Sequence, residues 1–170
     1  MIGSIIKGGS RKELRPGGSN TQTFITSFDM EECARHLDSR RLGKQRVEAL
    51  QILRANLGLS KGWKNHPVTR AWKGYEPFLL NIYLKAIMDE WERRGYKNVK
   101  CITMRDEIAQ IIGDAMPVPP PWLTEQLILS HQSNLVRKNP VHYKCLFPGI
   151  PDDIPYAWPR SPSSKHTEKP

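Results

Sequence analysis

At 170 residues, with 38% hydrophobic and 25% charged side chains, the chain is long enough for one domain with a substantial core and short for two. Its formal net charge of +9 suits a nucleic-acid or other anionic partner. Three widely spaced cysteines without a C-x-x-C pair, Cys33, Cys101 and Cys145, speak against a disulfide framework or a thiolate zinc site, and no apolar run approaches the roughly 18 residues of a membrane span.

Residues 1–22 are rich in Gly, Ser and basic side chains and carry too little apolar surface to fold alone, so they read as a mobile basic arm. Thr23-Phe24-Ile25 is a short extended entry, after which Ser27 or Asp29 can cap a helix through His36. Asp38-Ser39 opens a longer helix that ends near Asn56 to Gly58. Gly62-Trp63-Lys64-Asn65-His66-Pro67 is a basic turn with an aromatic, and Pro67 can be the first residue of a short helix through Trp72. Gly74 breaks it, and Pro77 opens a helix from Phe78 to about Arg94, with Phe78, Leu79, Ile82, Leu84, Ile87 and Trp91 on its buried faces. Thr103 caps a weaker helix from Met104 to about Ile112. Pro117 to Pro121 forms a stiff connector, Leu123 to Lys138 a last helix, Asn139 to Pro159 an ordered coil wrapped on the helices, and Arg160 to Pro170 a disordered tail. No segment alternates at period two, so the fold class is mostly α: a compact single-domain helical bundle with an irregular Pro- and aromatic-rich C-terminal wrap.

The helix after Asp38 has a fault in its pattern. Leu42, Ala49, Leu50, Leu53 and Leu57 share one stripe at helical period, with Arg46 in its middle. A guanidinium keeps its proton, so an inward Arg46 needs a carboxylate, carbonyls or a bound anion. Asp38, Arg41, Gln45 and Glu48 form a polar edge beside it. Two readings follow: a structural network in which Asp38 caps the helix, Glu48 pairs with Lys44 and Arg46 snorkels outward, or a site that grips phosphate and moves protons.

Three more patches mix cationic, amide and aromatic groups: Lys64, Asn65 and His66 with Arg70; His131, Gln132 and Asn134 with Arg137 and Lys138; and His142, Tyr143 and Lys144 with Tyr156 and Trp158. That mixture is what gripping or extruding a nucleotide requires, because Lys and Arg neutralise phosphates, amides read base edges and aromatic faces replace lost stacking. In the run Ser130 to Asn134 at least one polar side chain must be buried and hydrogen-bonded, so His131 is a structural or a site histidine. A metal site built from His36, His66, His131, His142 and Asp38 lacks close helical spacing. No G-x-G-x-x-G or P-loop is present.

Thr23-Phe24-Ile25, Ala34-Arg35-His36-Leu37 followed by Arg46-Val47, and Asn139-Pro140-Val141-His142-Tyr143-Lys144 together resemble the pyrimidine dimer DNA glycosylases of the phage endonuclease V type. The run L-D-x-x-R-L-x-K-Q-R-x-E, then N-H-P, W-x-G-Y-E, P-P-P-W, H-Q-S-N-L and Y-x-W-P, resembles a bacterial and phage branch of that family over about residues 21–159. The resemblance implies a compact helical protein that binds duplex DNA, flips a nucleotide and attacks the sugar C1′ of a damaged pyrimidine with the α-amine of a terminal threonine. Thr23 matches that threonine, but 22 residues precede it. The family's catalytic glutamate falls on Gly43, three residues before Arg46, so its role would pass to Asp38 or Glu48. Arg46 carries over as a phosphate and active-site contact, with Tyr143 and Lys144 as DNA contacts.

The resulting expectation is a base-excision enzyme that cleaves the N-glycosidic bond of a damaged or modified pyrimidine, with AP-lyase activity as an addition and a non-catalytic nucleic-acid-binding module as the alternative. Asp38 or Glu48 would orient water and stabilise an oxocarbenium-like sugar; Lys44, crowded by Arg40 and Arg41, is the candidate amine. The expected DNA contacts are Arg41, Gln45, Arg46, Lys64, His66, Arg70, His131, Gln132, Asn134, Arg137, Tyr143 and Lys144. Neither cofactor nor metal is expected; the partner is double-stranded DNA and not a membrane, the chain acts as a monomer, and its place is the cytoplasm or nucleoid. The domain boundaries expected are an arm at 1–22, the glycosylase-like domain at 23–159 and a tail at 160–170.

Overall fold

The computed structural model describes residues 22–159, so the expected tail and all of the expected arm except Gln22 lie outside the described residues. Within them the architecture is helical and no strand occurs. Helix α1 (Met30–His36) is capped by the Asp29 carboxylate, which accepts from the Glu31 and Glu32 N–H groups. Helix α2 (Ser39–Asn56) is capped by Asp38, and Leu42, Ala49, Leu50 and Leu53 are buried as the stripe requires. Pro67 opens α3 (Pro67–Trp72), where His66 Nδ1 accepts from the Val68 N–H. In the turn before it, Trp63 has φ 66°, the left-handed region that a bulky side chain seldom enters.

The helix beginning near Pro77 is a rod of three consecutive parts: α4 (Glu76–Phe78), a π segment (Leu79–Leu84) and α5 (Lys85–Arg93). A π turn holds more residues than an α turn and so rotates the faces that follow it. That rotation accounts for two departures from the expected pattern: Ile82 is 37% exposed, while Leu80 and Tyr83 turn inward. Helix α6 (Val99–Ile112) starts five residues earlier than expected at Met104, and Thr103 lies inside it. Asn98 precedes it without a side-chain capping bond, because its amide is engaged elsewhere: Nδ2 donates to Met88 O and Oδ1 accepts from Arg46.

Thr124 caps α7 (Glu125–Lys138). The stretch read as coil from Asn139 begins instead with α8 (Pro140–Leu146), in which Asn139 caps the His142 N–H and Pro140 takes the first helical position. Beyond it the chain is irregular and pinned to α7: Ile154 N–H donates to Ser133 Oγ at 3.0 Å and Ala157 N–H to Ser130 Oγ at 3.2 Å. Helix α2 lies at the centre, in contact with α3, the π segment, α5 and α6, while α1 packs on α5 and α8 on α7. Trp72, Tyr83, Leu53, Ile87 and Leu135 are among the core side chains closed to solvent. No helix of the described residues is long and apolar enough to cross a membrane.

Candidate active site

Residues 22–26 run extended and buried through the helices, with no neighbouring strand to pair with. Buried backbone groups must find partners, and here helix side chains supply them. Gln45 stands at the centre, with all four bonding positions of its amide filled. Its Oε1 accepts from Phe24 N–H at 2.9 Å and from the Tyr83 hydroxyl; its Nε2 donates to Gln22 O at 2.8 Å and to Glu48 Oε2 at 2.9 Å. Trp72 Nε1 donates to Thr23 Oγ1, Ile25 N–H to His131 Nδ1, and Gln132 Nε2 to Thr26 O.

This lacing puts a carboxylate next to the start of the stretch. Glu48 Oε2 accepts from Gln22 N–H at 3.2 Å, whereas Oε1 meets only Lys44 Nζ, at 3.4 Å and largely exposed. Burial raises the Glu48 carboxyl above its ordinary value against the pull of Lys44 and its hydrogen bonds. Oε1 therefore keeps lone pairs for a further donor.

Gln22 also lines a cavity of about 240 Å³, together with His66, Val68, Asn134, Lys138, Tyr156 and Trp158. The Gln22 Nε2, Tyr156 hydroxyl and Trp158 Nε1 atoms are buried and lack a hydrogen-bond partner among the described residues. Gln22 and Trp158 lie beside the Tyr156 hydroxyl, whose ionisation burial pushes up. The phenol oxygen can accept from either N–H group, which leaves the Tyr156 O–H as the donor without a protein acceptor and favours a guest that brings an oxygen acceptor. His131 backs the wall, stacked on Tyr156 with ring centroids 4.9 Å apart and equally close to Trp158. Burial holds its imidazole down to about 3, so it is neutral, and because Nδ1 accepts from Ile25 the proton sits on Nε2, facing Ala157 outside hydrogen-bonding geometry.

A second cavity of about 370 Å³ lies beyond the Trp63 turn, lined by Lys64, Asn65, Arg70 and Lys73 at the end of α2, with no acidic group in its wall. The Trp63 ring meets the edge of His66, which belongs to the first cavity, so one turn borders both. Cations without carboxylates at this scale suit phosphate.

The expected site residues divide accordingly. Glu48, His66 and Asn134 gather at or beside the first cavity, and Lys64 and Arg70 at the second. Gln45, His131 and Gln132 serve as clamps on the extended stretch, and Gln45 and His131 are sealed from solvent. Asp38 is closed: it caps α2, accepts from Arg41 Nη1 at 2.8 Å, and accepts from the buried Tyr143 hydroxyl at 2.6 Å. Although its burial works the other way, those bonds from Tyr143 and Arg41 hold the Asp38 carboxyl below its usual value. Arg137 donates to Asp152 O and to Asn134 Oδ1, and Lys144 is exposed on α8.

Arg46 requires a correction. It does not enter the polar cluster; its guanidinium lies 4.1 Å from the Trp91 ring centre and donates to Asn98 Oδ1 at 2.9 Å. The same ring meets Gly43 one turn earlier, where a Cβ would fall 2.8 Å from Trp91 Cη2. The place that matches the family's glutamate is thus a packing glycine, and Arg46 braces α2 against α5 and α6. Thr23, the position that matches the family's terminal threonine, is fully buried, and the residue at the cavity edge is Gln22. Gln22 had no sequence signal. Lys138, Tyr156 and Trp158 belonged to recognisable basic and aromatic patches, but only the fold shows them facing one cavity. Among the described residues no three His, Cys, Asp or Glu side chains form a metal-ligating group.

A family model described as pyrimidine dimer DNA glycosylase matches residues 22–113, from Gln22 to the end of α6. No curated protein and no solved structure matches the chain.

Proposed function

The chain belongs to the pyrimidine dimer DNA glycosylase family, and from that footing we propose that it cleaves the N-glycosidic bond of a damaged or modified pyrimidine in double-stranded DNA, at the cavity edged by Gln22. The observation that carries this reading is the buried Glu48 carboxylate beside the first family-matched residue, directly behind a donor-rich, aromatic-walled cavity. A nucleotide drawn out of the duplex would stack against Tyr156 and Trp158 and offer a carbonyl oxygen to the Tyr156 hydroxyl. Arg41, Lys44, Arg137 and Lys138 would meet the phosphates around the mouth, and Lys64, Arg70 and Lys73 those further along the strand.

For the chemistry, Glu48 Oε1 is the oxygen free to accept a proton from water and to balance positive charge developing at C1′. Asp38 serves this role poorly, because Tyr143 and Arg41 already occupy its oxygens. The α-amine route that the resemblance implies would require removal of the residues ahead of the cavity edge. Lys44, the amine considered from sequence, has a side chain 63% exposed and paired with Glu48. The carboxylate route is therefore the proposal.

The direct test incubates the protein with duplexes that carry a pyrimidine dimer, uracil or an oxidised pyrimidine, followed by heating in alkali. Alkali-labile sites on at least one substrate are expected. Tight binding to all three with no labile site on any would replace this reading with a non-catalytic nucleic-acid-binding module.

A further inference from the structure

The chain has five tryptophans. Trp72, Trp91, Trp122 and Trp158 lie in the hydrophobic core or pack against it, and Trp63 does neither. It stands half-buried in the turn between α2 and α3, with exposed Lys61 and Gly62 on one side and exposed Lys64 and Asn65 on the other. The one aromatic ring that it meets among the described residues is His66, with centroids 5.7 Å apart and planes at 66°, so no aromatic neighbour lies flat on it.

Its backbone is equally out of keeping. Trp63 has φ 66°, whereas every other left-handed position among the described residues is a glycine: Gly58, Gly74, Gly95, Gly113 and Gly149. Gly62, next to it, does not take that conformation, although a glycine takes it at no steric cost. Backbone strain at a bulky residue is unfavourable, and it collects at active sites and ligand clamps, where it aims a side chain.

Position supplies the task. His66, against the Trp63 ring, lines the cavity edged by Gln22, and Lys64 and Asn65 line the cationic cavity beyond it. A strand that places a nucleotide in the first cavity and its phosphates at the second passes over this turn. Drawing a nucleotide out of a duplex opens a gap in the base stack, and an aromatic face in that gap replaces the lost stacking.

We propose that Trp63 is the side chain that enters the duplex at this gap and stacks on the base left without a partner, with Lys61 and Lys64 on the flanking phosphates. Trp63 is then a positioning residue, which keeps the extruded nucleotide from returning to the stack while Glu48 acts on it. The inference rests on the cavity edged by Gln22 being the glycosylase site.

The test compares the full chain with Trp63→Ala, Trp63→Phe and Trp63→Asn on two duplexes, one undamaged and one in which a tetrahydrofuran abasic analogue faces a fluorescent 2-aminopurine. Wild type should prefer the abasic duplex and quench the 2-aminopurine by stacking on it. Trp63→Ala should leave the emission unquenched and bind the abasic duplex about 10- to 100-fold more weakly, with affinity for the undamaged duplex unchanged. Trp63→Phe should restore most of the quenching. Trp63→Asn, whose side chain tolerates the left-handed backbone, should melt no lower than wild type while losing the quench. Quenching by Trp63→Ala as deep as that by wild type, or an equal loss of affinity for both duplexes, overturns the assignment. So does a Trp63→Asn that melts well below wild type, since the ring would then be packing. If wild type neither prefers nor quenches the abasic duplex, the inference fails; alkali-labile sites on the lesion duplexes would then leave the glycosylase reading standing, and their absence would remove both.

Discussion

At the scale of single residues, the decisive feature is how Gln45 is used. A helical wheel places it on a polar edge with Arg41 and Glu48, which is correct in direction, but no wheel shows whether such an edge faces solvent or a buried extended segment. Its partners, Gln22, Phe24 and Tyr83, lie 21 to 38 residues away. Gln45→Leu would leave Phe24 N–H and Gln22 O buried without partners, at a cost of about 3 kcal/mol in denaturant unfolding. His131 makes a separate prediction. With its native value at about 3 against an ordinary 6.5, the unfolded chain binds the extra proton between those limits. Stability from this group is therefore complete above pH 6.5 and is lost as pH falls, by at most about 1.4 kcal/mol per pH unit. Urea midpoints measured from pH 7 to pH 4 should show this slope, and His131→Leu should flatten it.

Among the elements, those with local signals were legible. Asp29 and Asp38 as caps and Pro67 as a first helical residue all stand where the sequence put them. The missed features had tertiary causes or competing local signals. The π segment turns Tyr83 inward onto Gln45, a contact that apolar periodicity does not encode. Helix α8 was obscured because the surrounding prolines and aromatics read as coil, although Asn139-Pro140 is itself a cap followed by a first-turn proline. Gly43 offers a test at this scale. In a mid-helix position Gly→Ala ordinarily stabilises by about 1 kcal/mol. Here the added methyl would meet the Trp91 ring at 2.8 Å, so Gly43→Ala should destabilise by about 1–2 kcal/mol, as seen by thermal unfolding.

For the molecule as a whole, net charge and aromatic content indicated a nucleic-acid partner, and the fold shows how those groups are distributed. Cations border two neighbouring cavities joined by the Trp63 turn, while the hollow between α1 and α5 is lined by Asp29, Glu31 and Asp89 alongside Lys85. If duplex DNA tracks both cavities, replacing Lys64, Arg70 and Lys73 together by Ala should reduce the slope of log affinity against log salt by up to about 2.7, at about 0.9 per phosphate contact. An unchanged slope would place the second cavity off the DNA path. The central claim is that the carboxylate behind Gln22 performs the bond cleavage while its neighbours hold the DNA. The most direct measurement is the single-turnover rate of alkali-labile site formation by Glu48→Gln, whose amide oxygen can still accept from Gln22 N–H and Gln45 Nε2. The account predicts a fold as stable as wild type, DNA still bound, and a rate lower by about 10²–10⁴; a folded, DNA-binding Glu48→Gln that cleaves at the wild-type rate would contradict it.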